Sequence, residues 1–301
     1  MIDMRPTRRI VLYQAGSALV GPWLSRLRAQ QAPAAATAAN AIYVCPMDPD
    51  VRGTRPGVCS RCGMKLVAGL PDPVEYHVDL TTTPHRLQAG EKARLNFAIH
   101  DPWKDRPVTQ FQIVHEKLFH MFVVSQDLQF FVHDHPIGPD ASGDFYYDIV
   151  LPKPGLYRVV GDFYPDGATP QLIVKSLIVP GKPPVTTTPP RDYSTKDGGN
   201  MQVAIRTDPE QPIAGQPTLV YFQLNPADGL EKYLGAWAHM LVASDDVIDM
   251  IHTHPLVADG GPQVQFTLVF PRARTFRIWV QFQRRGVVNT AHFDVPVKEL
   301  G

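Results

Sequence analysis

Phe119-His-Met-Phe-Val-Val-Ser-Gln-Asp-Leu-Gln-Phe-Phe-Val-His-Asp-His-Pro136 returns, without a gap, as Ala238-His-Met-Leu-Val-Ala-Ser-Asp-Asp-Val-Ile-Asp-Met-Ile-His-Thr-His-Pro255. The same spacing carries Val150-Leu-Pro152 onto Val269-Phe-Pro271 and Tyr157-Arg158 onto Phe276-Arg277. Upstream, Leu87-Gln-Ala-Gly90 answers Ile213-Ala-Gly215 at a slightly different spacing. A fixed-period match of this length marks a duplicated structural unit. The expected copies span residues 74–180 and 201–298. Between them, residues 181–200 are rich in proline, threonine and glycine and read as a semi-rigid linker.

Each copy reads as strands. In the first, Glu75–Thr81, Lys92–His100, Leu118–Ser125, Gln129–Val132, Phe145–Leu151, Leu156–Phe163 and Gln171–Val179 are short, β-branched or aromatic, and bounded by turn residues. Such a series over about 105 residues predicts an immunoglobulin-like β-sandwich. A closed barrel is the alternative. The expected fold class is therefore mainly β: a small metal knuckle followed by two tandem sandwiches.

Three histidine positions recur in both copies: His120 with His239, His133 with His252, and His135 with His254. A tight turn at Ser125–Leu128 places His120 opposite His133, and Ser244–Val247 places His239 opposite His252. Opposed residues on paired strands share a face, and His135 and His254, two residues on, share it too. Three imidazoles on one patch suit Zn(II) or Cu(II). The competing reading is a turn whose buried histidines bond to backbone carbonyls, because the strand carrying His120 is apolar on both faces. Met121 and Met240 point to the opposite face and read as core. Ser125, Asp127 and their repeats Ser244 and Asp246 read as turn chemistry. Asp134 becomes Thr253, so it is not an essential partner. His77, His85, His100, His115 and His292 have no repeat partner and read as surface or structural.

Ahead of the repeats stand Tyr43-Val-Cys45-Pro-Met-Asp48-Pro49 and Pro56-Gly57-Val-Cys59-Ser-Arg-Cys62-Gly63-Met64. As ligand spacing, Cys45, Asp48, Cys59 and Cys62 can close a tetrahedron around one ion. Gly63 permits the sharp turn after the last thiolate. Soft thiolates suit zinc, cuprous copper or silver. The segment 42–68 resembles the heavy-metal-binding domain found with copper-transporting P-type ATPases and heavy-metal efflux proteins, whose pattern is Y-x-C-P-M-H-P…P-G-x-C-P-x-C-G-M. Asp48 stands where that family usually has His, a harder ligand. The resemblance implies a transition-metal ion, copper first and zinc second, and an efflux or envelope protein as partner. Met47 and Met64 are second-choice ligands, and a Cys59–Cys62 disulfide is the structural alternative.

Residues 1–32 combine Arg5, Arg8 and Arg9 with a short apolar run, Ile10 to Leu24, and residues 33–41 are small. This is the layout of an export signal and tether, with Thr7–Leu12 resembling a twin-arginine signal. A periplasmic or otherwise exported protein is expected, with no stable transmembrane span after signal removal. Twenty-nine basic and 29 acidic residues leave no net charge, which argues against nucleic acid as a partner. Three cysteines cannot build a disulfide scaffold. No nucleophile motif appears and neither copy offers a cysteine for a blue-copper centre, so no catalytic constellation is expected. Three function classes remain: an exported heavy-metal-binding protein, a structural module of an envelope or efflux assembly, and a histidine-ligated metalloenzyme.

Overall fold

Alternation of apolar and polar residues builds the outer strands. Ala93, Leu95, Phe97 and Ile99 turn inward from Lys92–Asp101 while their neighbours face out. The structure is a computed structural model that describes residues 42–45, 51–61, 63–69, 74–102, 106–166, 168–255 and 258–301. The expected export signal and tether, and the candidate ligands Met47, Asp48 and Cys62, lie outside the described residues. Among the described residues all regular structure is β, and no helix is long and apolar enough to cross a membrane.

The knuckle is a three-stranded antiparallel sheet in which β1 (Ile42–Val44) lies between β2 (Arg52–Gly53) and β3 (Val67–Gly69). The first repeat is a sandwich of two sheets. One sets β5 (Lys92–Asp101) between β4 (His77–Thr83) on one side and β6 (Arg106–Pro107) and β9 (Phe145–Val150) on the other. The second has the order β11 (Gln171–Val179), β10 (Gly155–Phe163), β7 (Phe119–Ser125), β8 (Phe131–Asp134). The second repeat follows the same plan. One sheet runs β12 (Lys196–Asp197), β13 (Gln202–Asp208), β14 (Pro217–Asn225), β18 (Gln263–Val269). The other centres on β19 (Thr275–Arg284), paired with β15 (Leu230–Glu231), β16 (His239–Ser244) and β20 (Val287–Pro296). There β17 (Met250–Thr253) completes the edge beside β16. Equivalent glycines take equivalent left-handed turns: Gly90 at φ 80° and Gly215 at φ 75° donate to Leu151 O and Phe270 O, each at 2.8 Å.

Strand β7 is buried at every position, and the cause decides how the molecule works. Phe119, Met121 and Val123 enter the core of their own sandwich. Phe122 and Val124, on the other face, join Leu241, Ala243, Val247 and Trp279 of the second repeat in a third core. Phe131 stacks on Trp279 across this seam, with ring centroids 5.0 Å apart and planes 7° apart. Full burial of such a side chain contributes roughly 1.5–3 kcal/mol; Trp279 is buried and Phe131 half-buried. Arg277 adds a polar lock: it forks onto the Asp294 carboxylate at 2.7 and 2.8 Å and donates to Leu128 O of the other repeat at 2.8 Å. The two sandwiches are therefore fused through their β7/β10 and β16/β19 faces. The residues read as a linker contribute β12 and a bridge from Asp192 to Asp294.

The hairpin register departs from the sequence expectation. His133 stands opposite Phe122 rather than His120, and His252 opposite Leu241 rather than His239. The connecting loops are longer than a tight two-residue turn. Leu128 and Val247 take left-handed φ values of 56° and 51°, and Ser125 N and Ser244 N reach Phe130 O and Asp249 O. Ser125 and Ser244 donate to Asp127 and Asp246 inside these turns. The slip is two residues, and an even slip keeps every side chain on its face. The histidines stay together for that reason.

Candidate metal centre

Seven imidazoles meet where the two sandwiches join: His115, His120, His133, His135, His239, His252 and His254. His120 and His239 come from the seam-facing side of β7 and β16. His133 and His252 come from the hairpin partners β8 and β17, and His135 and His254 follow two residues on. His115 arrives from a two-residue hairpin closed by reciprocal Val114 and Lys117 backbone bonds, with His115 at φ 48° and Glu116 at φ 65°. Tyr233 to Ala236 repeats that turn in the second sandwich, but Leu234 occupies the position of His115.

Two trios bring one ligand atom per residue within 4.8 Å of one another: His120, His133, His135 and His115, His239, His254. The first is the set that the sequence predicts. The second is a correction. His115, read as structural because it has no repeat partner, takes the place expected for His252. It crosses from the first repeat and stacks on His254 with ring centroids 3.7 Å apart. His252 lies between the trios, its ring 4.8 Å from His254, 6.0 Å from His239, 6.2 Å from His120 and 6.3 Å from His133.

The partners of each ring set which nitrogen is bare. His120 Nε2 donates to Val114 O at 3.0 Å, and His239 Nε2 donates to Tyr233 O at 2.9 Å. A carbonyl only accepts, so Nδ1 of each neutral ring carries a lone pair. His133 Nδ1 donates to Gln281 Oε1 at 2.6 Å, while Gln281 Nε2 donates to Thr290 Oγ1. That leaves His133 Nε2 bare, 3.5 Å from the bare His120 Nδ1, and His135 Nε2 is 3.2 Å from the same atom. Tetrahedral zinc with Zn–N bonds near 2.05 Å separates its nitrogens by about 3.4 Å. Two separations of the first trio, 3.2 and 3.5 Å, match that spacing. In the second, His254 Nε2 and His239 Nδ1 are at 2.7 Å, a hydrogen-bond distance that must open by several tenths of an ångström to admit an ion. His115 Nε2, His254 Nδ1 and His252 Nε2 are buried with no hydrogen-bond partner. Buried polar atoms without partners are costly, and an ion would satisfy such lone pairs.

The outer partners are exchanged between repeats. Gln281 lies beside His239 on β19 and holds His133 of the other sandwich. Asp162, its equivalent, lies beside His120 on β10 and accepts from His252 Nδ1 at 2.6 Å. Sequence reasoning missed both, although they lie in register with the repeat as polar residues in otherwise apolar strands. A carboxylate or amide behind a ligating histidine fixes its tautomer and raises its basicity. Gln281→Leu is expected to weaken the first-repeat site about 10–100-fold, although Gln281 belongs to the second repeat. Gln281→Glu is expected to tighten it. Isothermal titration of the two variants with Zn(II) measures both, and unchanged affinity in each would remove Gln281 from the site.

Burial favours the neutral form of six of these rings. His120 is pushed down to about 4 by burial, against the pull of Asp162. Burial pushes His135 down to about 4 as well, helped by His120 and Lys117. Burial also holds His115, His133, His239 and His254 well below the ordinary imidazole value, with charge on neighbouring rings adding to it. Neutral imidazole is the ligating form.

In the knuckle, Cys45 and Cys59 are 0% and 2% exposed. Cys59 sits in a tight turn in which Gly63 N donates to Cys59 O at 2.9 Å and Arg61 N approaches Cys59 Sγ at 3.4 Å. Gly63 takes φ 74°, the left-handed turn expected after the last thiolate. Amide donors around a thiolate stabilise its charge.

A family model described as Domain of unknown function (DUF8832) matches residues 72–175 and again 194–299, once on each sandwich. A second, described as Heavy metal binding domain, matches residues 42–68, so the knuckle is a heavy-metal-binding domain. No curated protein matches the chain. Among solved structures it is similar to the adhesin InvE of Yersinia pseudotuberculosis, at 11% identity and TM-score 0.23, over 73% of this chain and 60% of that one. It is also similar to a bacterial ice-binding adhesin, at 8% identity and TM-score 0.23, over 76% of this chain and 67% of that one. A third is the FN1–FN3 fragment of chicken CNTN1, at 8% identity and TM-score 0.21, over 77% and 71%. At these scores the likeness carries no argument.

Proposed function

We propose that this chain, which belongs to the Domain of unknown function (DUF8832) family, is an exported protein that sequesters or delivers copper or zinc. Metal binding by the knuckle follows from its family. The observation that carries the rest is the pair of bare nitrogens, His120 Nδ1 and His133 Nε2, facing each other at 3.5 Å inside the seam with His135 Nε2 beside them. In the metal-free protein His135 Nε2 can donate to His120 Nδ1, as His254 does to His239, while His133 Nε2 faces the same nitrogen; a cation among the three would be bound by all of them. Imidazole nitrogen suits Cu(II) and Zn(II), and thiolate suits Zn(II) and Cu(I), so the chain offers borderline and soft donors together. The basic amino-terminal segment and its apolar run support export, and the export route supports a periplasmic or envelope setting with an efflux or envelope protein as recipient. A non-enzymatic role is the reading adopted: the rings act as ligands, and the Asp162–His252 pair supports them from behind.

Elemental analysis after loading with Zn(II) tests the proposal. Full-length protein is expected to hold ions at the knuckle and at the seam. His120→Ala is expected to remove one seam ion, and Cys45→Ala to remove the knuckle ion alone. A wild-type protein whose whole metal content disappears with Cys45→Ala would reduce the histidines to core residues.

A further inference from the structure

The knuckle and the second trio open onto one cavity. Its volume is about 470 Å³, with Cys59 and Met64 on the knuckle wall, His115 and His254 on the seam wall, and Lys232 and Trp237 beside them. The knuckle is held against the first repeat by the Tyr164 hydroxyl, which donates to Ala68 O on β3. The part of the chain that carries thiolates is thereby placed at the approach to two buried rings, His115 and His254, each with an unpartnered nitrogen.

We propose that this cavity is a loading passage, through which an ion captured on Cys59 is passed to His115, His239 and His254. The proposal rests on the reading of the histidine cluster as a metal site. Charge favours a carried ion over a free one. Lys232 lines the cavity, so a hydrated dication entering alone would meet like charge. An ion bound to thiolate arrives with its charge largely cancelled. Transfer is a ligand exchange without electron transfer: the Cys59 Sγ–metal bond breaks as an imidazole nitrogen–metal bond forms. The proton displaced from His254 Nε2 moves to the unpartnered His254 Nδ1, so the ring stays neutral, and the released thiolate takes its proton from solvent. The absence of a ring at Leu234 explains why one trio, and not its repeat, is the receiving site. His115 supplies a third nitrogen on the cavity wall that the first repeat's trio has no counterpart for.

Full-length, reduced, metal-free protein mixed with one equivalent of Co(II) tests this by rapid-mixing absorption. The cobalt–thiolate charge-transfer band is expected to rise first and then decay as the weaker bands of histidine-bound cobalt appear. Cys59→Ser should remove the early band and slow the histidine bands at least about tenfold, without changing their final height. Ser60→Phe, at an exposed residue on the cavity wall, should slow only the second phase while all thiolates remain. In His239→Ala/His254→Ala the thiolate band should rise and stay. Loading of the histidine site at the wild-type rate in both Cys59→Ser and Ser60→Phe would overturn the passage. So would a thiolate band that persists in wild type while histidine bands wait for a second equivalent. Absence of histidine bands at every cobalt ratio would instead overturn the metal reading of the cluster, and the passage with it.

Discussion

Acidifying the metal-free protein from pH 7 to 5 is expected to remove most of its stability. An unfolded histidine titrates near 6.5, whereas burial holds His120 near 4 in the folded protein. Below 6.5 the unfolded chain therefore binds protons that the folded chain refuses, so stability falls as pH falls, and the loss ends only below the folded value. For His120 alone the difference at pH 5 is about 2 kcal/mol. His115, His133, His239 and His254 are shifted in the same direction by the same cause. The groups facing the cluster do not reverse the sign. Asp162 favours charge on His120, Lys117 opposes it, and Gln281 is neutral. His135, also held near 4, adds a similar loss, and the two together are a large share of the roughly 5–15 kcal/mol that holds a domain. Urea midpoints measured at half-unit intervals should drop steeply between pH 6.5 and 5 in the presence of a chelator. A flat profile over that window would mean that the rings are not buried neutral.

Saturating Zn(II) at neutral pH is expected to raise the melting temperature by about 10 °C in a single transition. An ion bound only by the folded state, at a free concentration a thousand times its dissociation constant, contributes about 4 kcal/mol. For a body of this size each kcal/mol is worth roughly 2–4 °C. One transition, rather than two, is expected because the third core and the Arg277 fork bind the sandwiches together. His120→Ala with His239→Ala should abolish the shift, and each alone should reduce it. The cross-repeat bonds from Gln281 to His133 and from Asp162 to His252 mean that neither site is independent of the other sandwich. A shift that survives in the double variant but vanishes with Cys45→Ala would assign the stabilisation to the knuckle.

Much of this arrangement was legible in the amino-acid order. The repeated segment marked two equivalent units, and alternation within Lys92–Asp101 and its fellows marked strands. The knuckle was legible from Cys45, Cys59, Gly63 and their neighbours, because a metal turn leaves ligands and glycine at fixed spacing. His120, His133 and His135 could be placed on one face without the correct register, since side chains alternate with period two and any even slip preserves the face. What lies against that face was not legible. Strand β7 is apolar on both sides, a pattern shared by a strand deep in one domain and a strand clamped between two. Only the packed structure shows that the second side meets Leu241, Ala243 and Trp279. His115 escaped because its repeat equivalent is Leu234, and its role comes from a turn that carries it across to His254, 139 positions away by chain order but 3.7 Å away in space. Gln281 and Asp162 escaped for the same reason. Periodicity along one chain segment determines which side of a strand a residue occupies, whereas a bond such as Gln281 to His133 depends on how two finished surfaces dock, which no local spacing encodes.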